Sequence, residues 1–148
     1  MAVRVLIADS SCLERDIIRH HLECAGCEVV AEAETAEQAA HLIRTVHPDV
    51  VTLDTELGDD GDALELFRMI RQESPATTVI MVEPNGASED HSRFVGAGAL
   101  DCSVDPFVGP SFEQMHRRLA ELYPELRRTA VGRAAARSAP RPGIPLSQ

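Results

Sequence analysis

The stretch Asp49-Val-Val-Thr-Leu-Asp-Thr-Glu-Leu-Gly-Asp-Asp-Gly61 opens on Val50, Val51 and Leu53, a short and nearly all-apolar β-branched run. Such a run fits a strand buried on both faces of a parallel sheet. It stops at Asp54, and Glu56, Gly58, Asp59, Asp60 and Gly61 follow. A carboxylate at the C-terminal end of a buried strand lies where open α/β sheets bind ligands and do chemistry. A turn or helix-capping aspartate would look the same in isolation, so the rest of the chain has to choose between the two.

Working outward, the chain alternates strand-like and helix-like segments. Val3 and Val5–Ala8 form a first strand ending at Asp9. Ser11-x-x-Glu14 has the form of a capping box, followed at helical spacing by Leu13, Ile17, Ile18, Leu22 and Ala25 up to Gly26. Val29–Ala31 is a second strand, and Thr35-x-x-Gln38 caps a second helix that His47-Pro48 ends. Leu64, Phe67 and Ile70 mark a third helix ending before Pro75, and Thr77–Val82 a fourth strand closing on Glu83. A weak helix is expected from Ser88 to Gly96–Gly98, and a fifth strand over Leu100–Val104 ending at Asp105-Pro106. Ser111-x-x-Gln114 then caps a last helix carrying Phe112, Met115, Leu119 and Leu122.

This alternation implies βαβ units and a parallel sheet between helical layers. The predicted fold is a doubly wound, five-stranded α/β sandwich with the flavodoxin-like order 2-1-3-4-5, which places Asp9 beside Asp54. Right-handed crossovers bring all strand C-termini to one edge. Asp9, Asp54, Glu83 and Asp105 are therefore expected to meet there. The domain is assigned to residues 1–126, and the Arg-, Ala- and Pro-rich residues 127–148 to a flexible tail, with a helical stretch possible over Ala130–Arg137.

Composition excludes several classes. The chain has 148 residues, a formal net charge of −10 and 14 basic residues, every one of them Arg. That balance argues against a nucleic-acid surface, and the lack of Lys removes lysine-dependent chemistry. No run approaches a membrane span and no leader precedes the first strand, so a cytoplasmic location is expected. Cys12, Cys24, Cys27 and Cys102 do not form a disulfide framework in a chain with a sufficient core. Cys24-x-x-Cys27 with His20 offers three zinc-ligand types, but no second Cys pair follows and ordinary thiols explain it. His20, His21 and His116 are expected to be exposed helix residues. Phosphate-cradling Gly-rich motifs and Gly-x-Ser-x-Gly are absent from the sequence.

Val5-Leu-Ile-Ala-Asp9, Pro48-Asp-Val-Val-Thr-Leu-Asp54, Ala97-Gly-Ala99 and Asp105-Pro106-Phe107 together resemble the receiver domain of two-component response regulators, over about residues 3–124. The phrasing around Thr52–Glu56 and Val79–Val82 is most similar to the receiver half of chemotaxis methylesterases. The resemblance implies that Asp54 accepts a phosphoryl group from a phosphohistidine on a partner histidine kinase. It also implies that Asp9, Asp54 and the backbone carbonyl of Glu56 hold Mg²⁺. Phosphoryl transfer needs positioning and neutralisation of oxygen charge, and Mg²⁺ takes carboxylates, water and phosphate oxygens.

The chain departs from that pattern at several positions. Ser10 stands where a second acid is expected, Glu83 at the Thr/Ser position and Asp105 at the Lys position. Leu57-Gly58 replaces the usual Met-Pro, Gly61 comes one residue early, and Cys102 takes the place of a switch aromatic. A carboxylate at position 105 repels a phosphoryl group that a cation would attract. At ~5 Å and an effective dielectric of ~20, each charge pair is worth on the order of 3 kcal/mol. The expected function is a stand-alone receiver that signals by docking to a histidine kinase or another signalling protein, with Asp54 phosphorylated slowly and no enzymatic activity of its own. Two alternatives remain open: a divalent-cation-binding phosphatase or ion sensor built on the same acids, and a phosphorylation-independent scaffold or homodimerisation module.

Overall fold

In the computed structural model, which describes residues 2–59, 61–86 and 90–128, five parallel strands alternate with five helices. The strands are β1 (Arg4–Ala8), β2 (Glu28–Ala33), β3 (Val50–Asp54), β4 (Thr78–Val82) and β5 (Ser103–Val104). The helices are α1 (Cys12–Cys24), α2 (Ala36–Val46), α3 (Asp62–Glu73), α4 (His91–Gly96) and α5 (Gly109–Leu122), and a 3₁₀ turn over Pro124–Arg128 follows. The sheet order is β2-β1-β3-β4-β5, as the sequence predicts.

Period-two alternation sorts side chains between two cores. Val5 and Ile7 of β1, Val50 of β3, and Ile80 and Val82 of β4 pack with Ile18 and Leu22 of α1 and with Phe112, Met115 and Leu119 of α5. Leu6, Ala8, Val51, Leu53, Val79 and Met81 point the other way, against Ile43 of α2, Leu66, Phe67 and Ile70 of α3, and Phe94 of α4. Because both faces are covered, the central strands read as continuous apolar runs. The aliphatic content and the scarcity of aromatics leave Phe67 and Phe94, in edge contact at 5.6 Å, as the bulkiest pair of the second core.

Local signals set most boundaries. Ser11 Oγ accepts from the Glu14 N–H and Thr35 Oγ1 from the Gln38 N–H, so both N-caps form as predicted. The Gln38 side chain completes its box one residue early, accepting from the Glu34 N–H. His47 ends α2 in the left-handed region at φ 53°, and the Arg4 guanidinium donates to the Val46 and His47 carbonyls, satisfying part of that helix end. Gly58 has φ +72°, and a Cβ there would lie 2.5 Å from Asp62 Oδ2, the acceptor for the Asp59 N–H.

Several expectations are corrected. β2 is longer than Val29–Ala31, and β5 is reduced from Leu100–Val104 to two residues, pairing only with Met81 and Val82. Helix α4 begins at His91, and Ser88 lies outside the described residues, as does the segment Ala130–Arg137. Ser111 does not cap α5. Pro110, whose fixed φ suits a first helical turn, starts the helix at Gly109 with Val108 as cap. The Ser111 hydroxyl instead donates to the Asp105 and Val108 carbonyls and accepts from the Asp105 N–H. His21 and His116 are not exposed: His21 stacks on Phe112 at 3.8 Å, and His116 is buried beside it.

Phe67 is fully buried between α3, α4 and the sheet. Replacement Phe67→Ala is expected to cost about 3–5 kcal/mol, read as a lower urea midpoint with an unchanged slope.

Candidate functional site

The register that pairs Ala8 with Leu53 leaves Asp9 and Asp54 side by side just beyond the ends of β1 and β3. By strand parity, Asp9 follows Val5 and Ile7, and Asp54 follows Val50 and Thr52, so both project toward the layer of α1 and α5. Asp9 is 0% exposed and Asp54 5%. Each is fixed by its own loop in the same way. Asp9 Oδ1 accepts from the Ser11 N–H at 2.8 Å, and Asp54 Oδ1 from the Glu56 N–H at 2.9 Å. Both are Asx-type turns, and each leaves the second carboxylate oxygen for the site.

A third acid joins them. Glu14, in the first turn of α1, is buried, and one oxygen from each of Asp9, Glu14 and Asp54 lies within 4.8 Å of one from the others. By sequence, Glu14 belongs to the Ser11-x-x-Glu14 capping box. The signal was present all the same, because the third residue of a helix that follows a strand sits over that strand's end.

Burial dominates the electrostatics. It pushes the Asp9 carboxyl up to about 7, helped by hydrogen bonding to Glu14 and by Glu14's like charge, against the Ser11 amide and Arg15. It pushes Asp54 up to about 6, with the charges of Asp9 and Glu56 adding and the Glu56 amide opposing. Arg15 is held at the rim, donating to the Asp9 carbonyl and pairing with Glu32 and Glu34 across to β2.

Glu83 and Asp105 stand apart from this cluster among the described residues. Glu83 has the parity of Val79 and Met81, which faces α4, and there it accepts from His91 Nδ1 at 2.9 Å. His91 Nε2 lies 3.6 Å from Asp101, and these carboxylates raise the imidazole pKa, chiefly through the Glu83 hydrogen bond. Asp105 Oδ1 accepts from the Phe107 N–H within its own turn. The predicted meeting of four acids is thus replaced by a trio, with Glu14 in and Glu83 and Asp105 out. His91, eight residues beyond Glu83, carried no sequence signal.

A hard divalent cation fits the trio. Asp9 Oδ2 is buried and, with the acids ionised, has no donor. Trans oxygens on one Mg²⁺ or Ca²⁺ lie ~4–5 Å apart, which the trio can span. Cys27 offers no ligand there: it is buried in the α1–α5 core with its thiol pushed up to about 12. Cys24 Sγ lies 3.8 Å from His20 Nε2, away from the carboxylate trio.

Comparison with known proteins agrees with this architecture. The response regulator receiver domain profile matches residues 5–118. The chain is 35% identical over 107 residues to the chemotaxis protein CheY of Bacillus subtilis, covering 72% of this chain and 88% of that one. It is 35% identical to a protein-glutamate methylesterase/protein-glutamine glutaminase of Alkalilimnicola ehrlichii, across the whole chain but only 38% of that relative's length. A LuxR-family two-component response regulator of Aurantimonas superposes with a TM-score of 0.70 at 29% identity, over 82% of this chain and 86% of that one. The profile spans most of the chain and the strand order is that of the family's fold, and the chain belongs to the response regulator receiver domain family.

Proposed function

We propose that the chain is a phosphoacceptor module of a two-component pathway in the cytoplasm, with Asp54 as the acceptor and a phosphohistidine on a histidine kinase as donor. The observation that supports this reading is the Asp54 carboxylate, buried beside Asp9 and oriented by the Glu56 N–H so that one oxygen remains for attack. That oxygen attacks phosphorus, the P–N bond to the donor imidazole breaks, and the imidazole leaves with a proton from solvent. A bound Mg²⁺, held by Asp9, Asp54 and the Glu56 carbonyl, would offset charge on the transferring oxygens.

This chain's own residues set the rate. Burial raises the Asp54 pKa to about 6, so the nucleophilic carboxylate accumulates only as pH rises past that value. Neither Glu83 nor Asp105 supplies a cation or a hydroxyl to the transferred group, and the reaction is accordingly slow. Output passes to a partner protein by docking. The methylesterase chemistry of the longer relatives is not part of the proposal, because the chain spans little more than a third of their length. No described helix is long and apolar enough to cross a membrane.

A second reading, in which the docking face is set without phosphorylation, is favoured by the Glu83–His91 pair. It ties β4 to α4 at the position where the resemblance expects a phosphoryl-sensing hydroxyl.

Incubation with a small phosphodonor and Mg²⁺, read by intact mass, is expected to give a slow, acid-labile gain of one phosphoryl group that Asp54→Asn abolishes. Labelling that survives in Asp54→Asn assigns the acceptor elsewhere, and no labelling of the parent at pH 8 leaves the docking module.

The same carboxylates govern stability. Asp9 and Asp54 have folded-state values above the unfolded ~4, so the native form binds more protons. Their contribution is fully present below pH ~4 and is lost as pH rises through about 6 to 7. His21 and His116 act oppositely: burial lowers both, so their contribution is present above ~6.5 and lost as pH falls. Comparison with Asp54→Asn cancels the histidines. In chelator, Asp54→Asn should gain on the parent by on the order of 2 kcal/mol between pH 4 and pH 8, measured by urea unfolding. A pH-independent difference would mean that Asp54 titrates as a solvated carboxyl.

A further inference from the structure

Ser10 is exposed and its hydroxyl is neutral, so the β1 end contributes one carboxylate where the family resemblance expects two. We infer that Glu14, reaching in from α1, is the third carboxylate of a divalent-cation site with Asp9 and Asp54, and takes the part that Ser10 cannot. The purpose of the site rests on the phosphoacceptor proposal above; its existence does not.

Four observations support it. In a completed capping box, Glu14 would turn back to the Ser11 N–H. Here that N–H is taken by Asp9 Oδ1 at 2.8 Å, so the Glu14 carboxyl is left for the cluster, where it lies 9% exposed with its oxygen within 4.8 Å of those of Asp9 and Asp54. Asp9 Oδ2 is fully buried and, with the acids ionised, has no donor, while Oδ1 is turned to the Ser11 amide. Finally, Arg15 donates to the Asp9 carbonyl and pairs with Glu32 and Glu34 rather than with the carboxylates of the trio. Three buried acids facing one another need a proton or, once ionised at higher pH, a cation among them, because each ionised oxygen repels the other two across a poorly solvated gap.

The donor set defines the ligand class. All three donors are carboxylate oxygens, with no His or Cys in the group. This selects a hard cation, Mg²⁺, Mn²⁺ or Ca²⁺, over zinc or copper. The cation is held before any phosphoryl group arrives, because three carboxylates are already in place.

Mn²⁺ titration of the full chain at pH 8, with the free ion followed by electron paramagnetic resonance, tests the assignment. The parent is expected to bind one Mn²⁺ that Mg²⁺ displaces. Glu14→Gln keeps the backbone N–H that Ser11 caps and should weaken binding about tenfold or more. Adding Ser10→Asp to Glu14→Gln should restore it. In chelator, Glu14→Gln should melt above the parent because repulsion is relieved, and Mg²⁺ should raise the melting temperature of the parent far more than that of the variant. Equal Mn²⁺ affinity in parent and Glu14→Gln, or no binding by the parent, overturns the inference. Mass labelling of Asp54 separates it from the proposed function. Labelling with Mn²⁺ binding indifferent to Glu14 removes Glu14 and keeps the phosphoacceptor. Glu14-dependent binding with no labelling keeps the cation site and removes the phosphoacceptor.

Discussion

Parallel pairing of β1 with β3 at the centre of the sheet places two carboxylates next to each other in a nearly dry environment, and the surrounding structure answers to that repulsion. Strand parity sends both toward α1. Each is clamped by an amide two residues further on, which keeps one oxygen fixed while the other faces its neighbours. Water cannot dissipate the charge, so a proton or a cation must. The raised values of Asp9 and Asp54 are the proton form of that requirement. The trio with Glu14 brings three carboxylate oxygens close enough for the cation form.

The two cores explain why the site can sustain this. Ile18, Leu22, Phe112, Met115 and Leu119 seal the α1–α5 face beneath the carboxylates, while Phe67, Ile70 and Phe94 seal the other. Arg15 and Arg19 fasten α1 to β2 through Glu32, and the Tyr123 hydroxyl, donating to the Asp49 carbonyl, ties the end of α5 to the start of β3. These contacts fix the ends of the elements that carry Asp9, Glu14 and Asp54. On the opposite side of the sheet, Glu83 and His91 form a separate polar pair that ties the end of β4 to α4.

Much of the fold was legible in residue order. Alternating β-branched runs and 3.6-period segments gave five strands, the flavodoxin-like order went with the resemblance to receivers, and Ser11 and Thr35 announced their helices. Asp9 and Asp54 followed from topology alone. The misses have physical causes. Ser111 resembled a cap, but Gly109-Pro110 had already started the helix, and the hydroxyl turned to Asp105. The four-acid site assumed that every strand-end acid points the same way. Pleating decides otherwise: Glu83 shares parity with Val79 and Met81, a pattern that was readable in advance. Glu14 was assigned its usual capping partner, which Asp9 had already taken. The burial of His21 and His116 arises from α1–α5 packing, which spacing within one helix does not encode.

Asp9 and Asp54 share a poorly solvated site, and carboxyl-carbon NMR titration of the two side chains in metal-free buffer tests that most directly. Separate transitions are expected near pH 7 for Asp9 and pH 6 for Asp54, both moving to lower pH when Mg²⁺ is added. Two ordinary transitions near ~4, indifferent to Mg²⁺, would be those of independent, hydrated carboxylates and would contradict it.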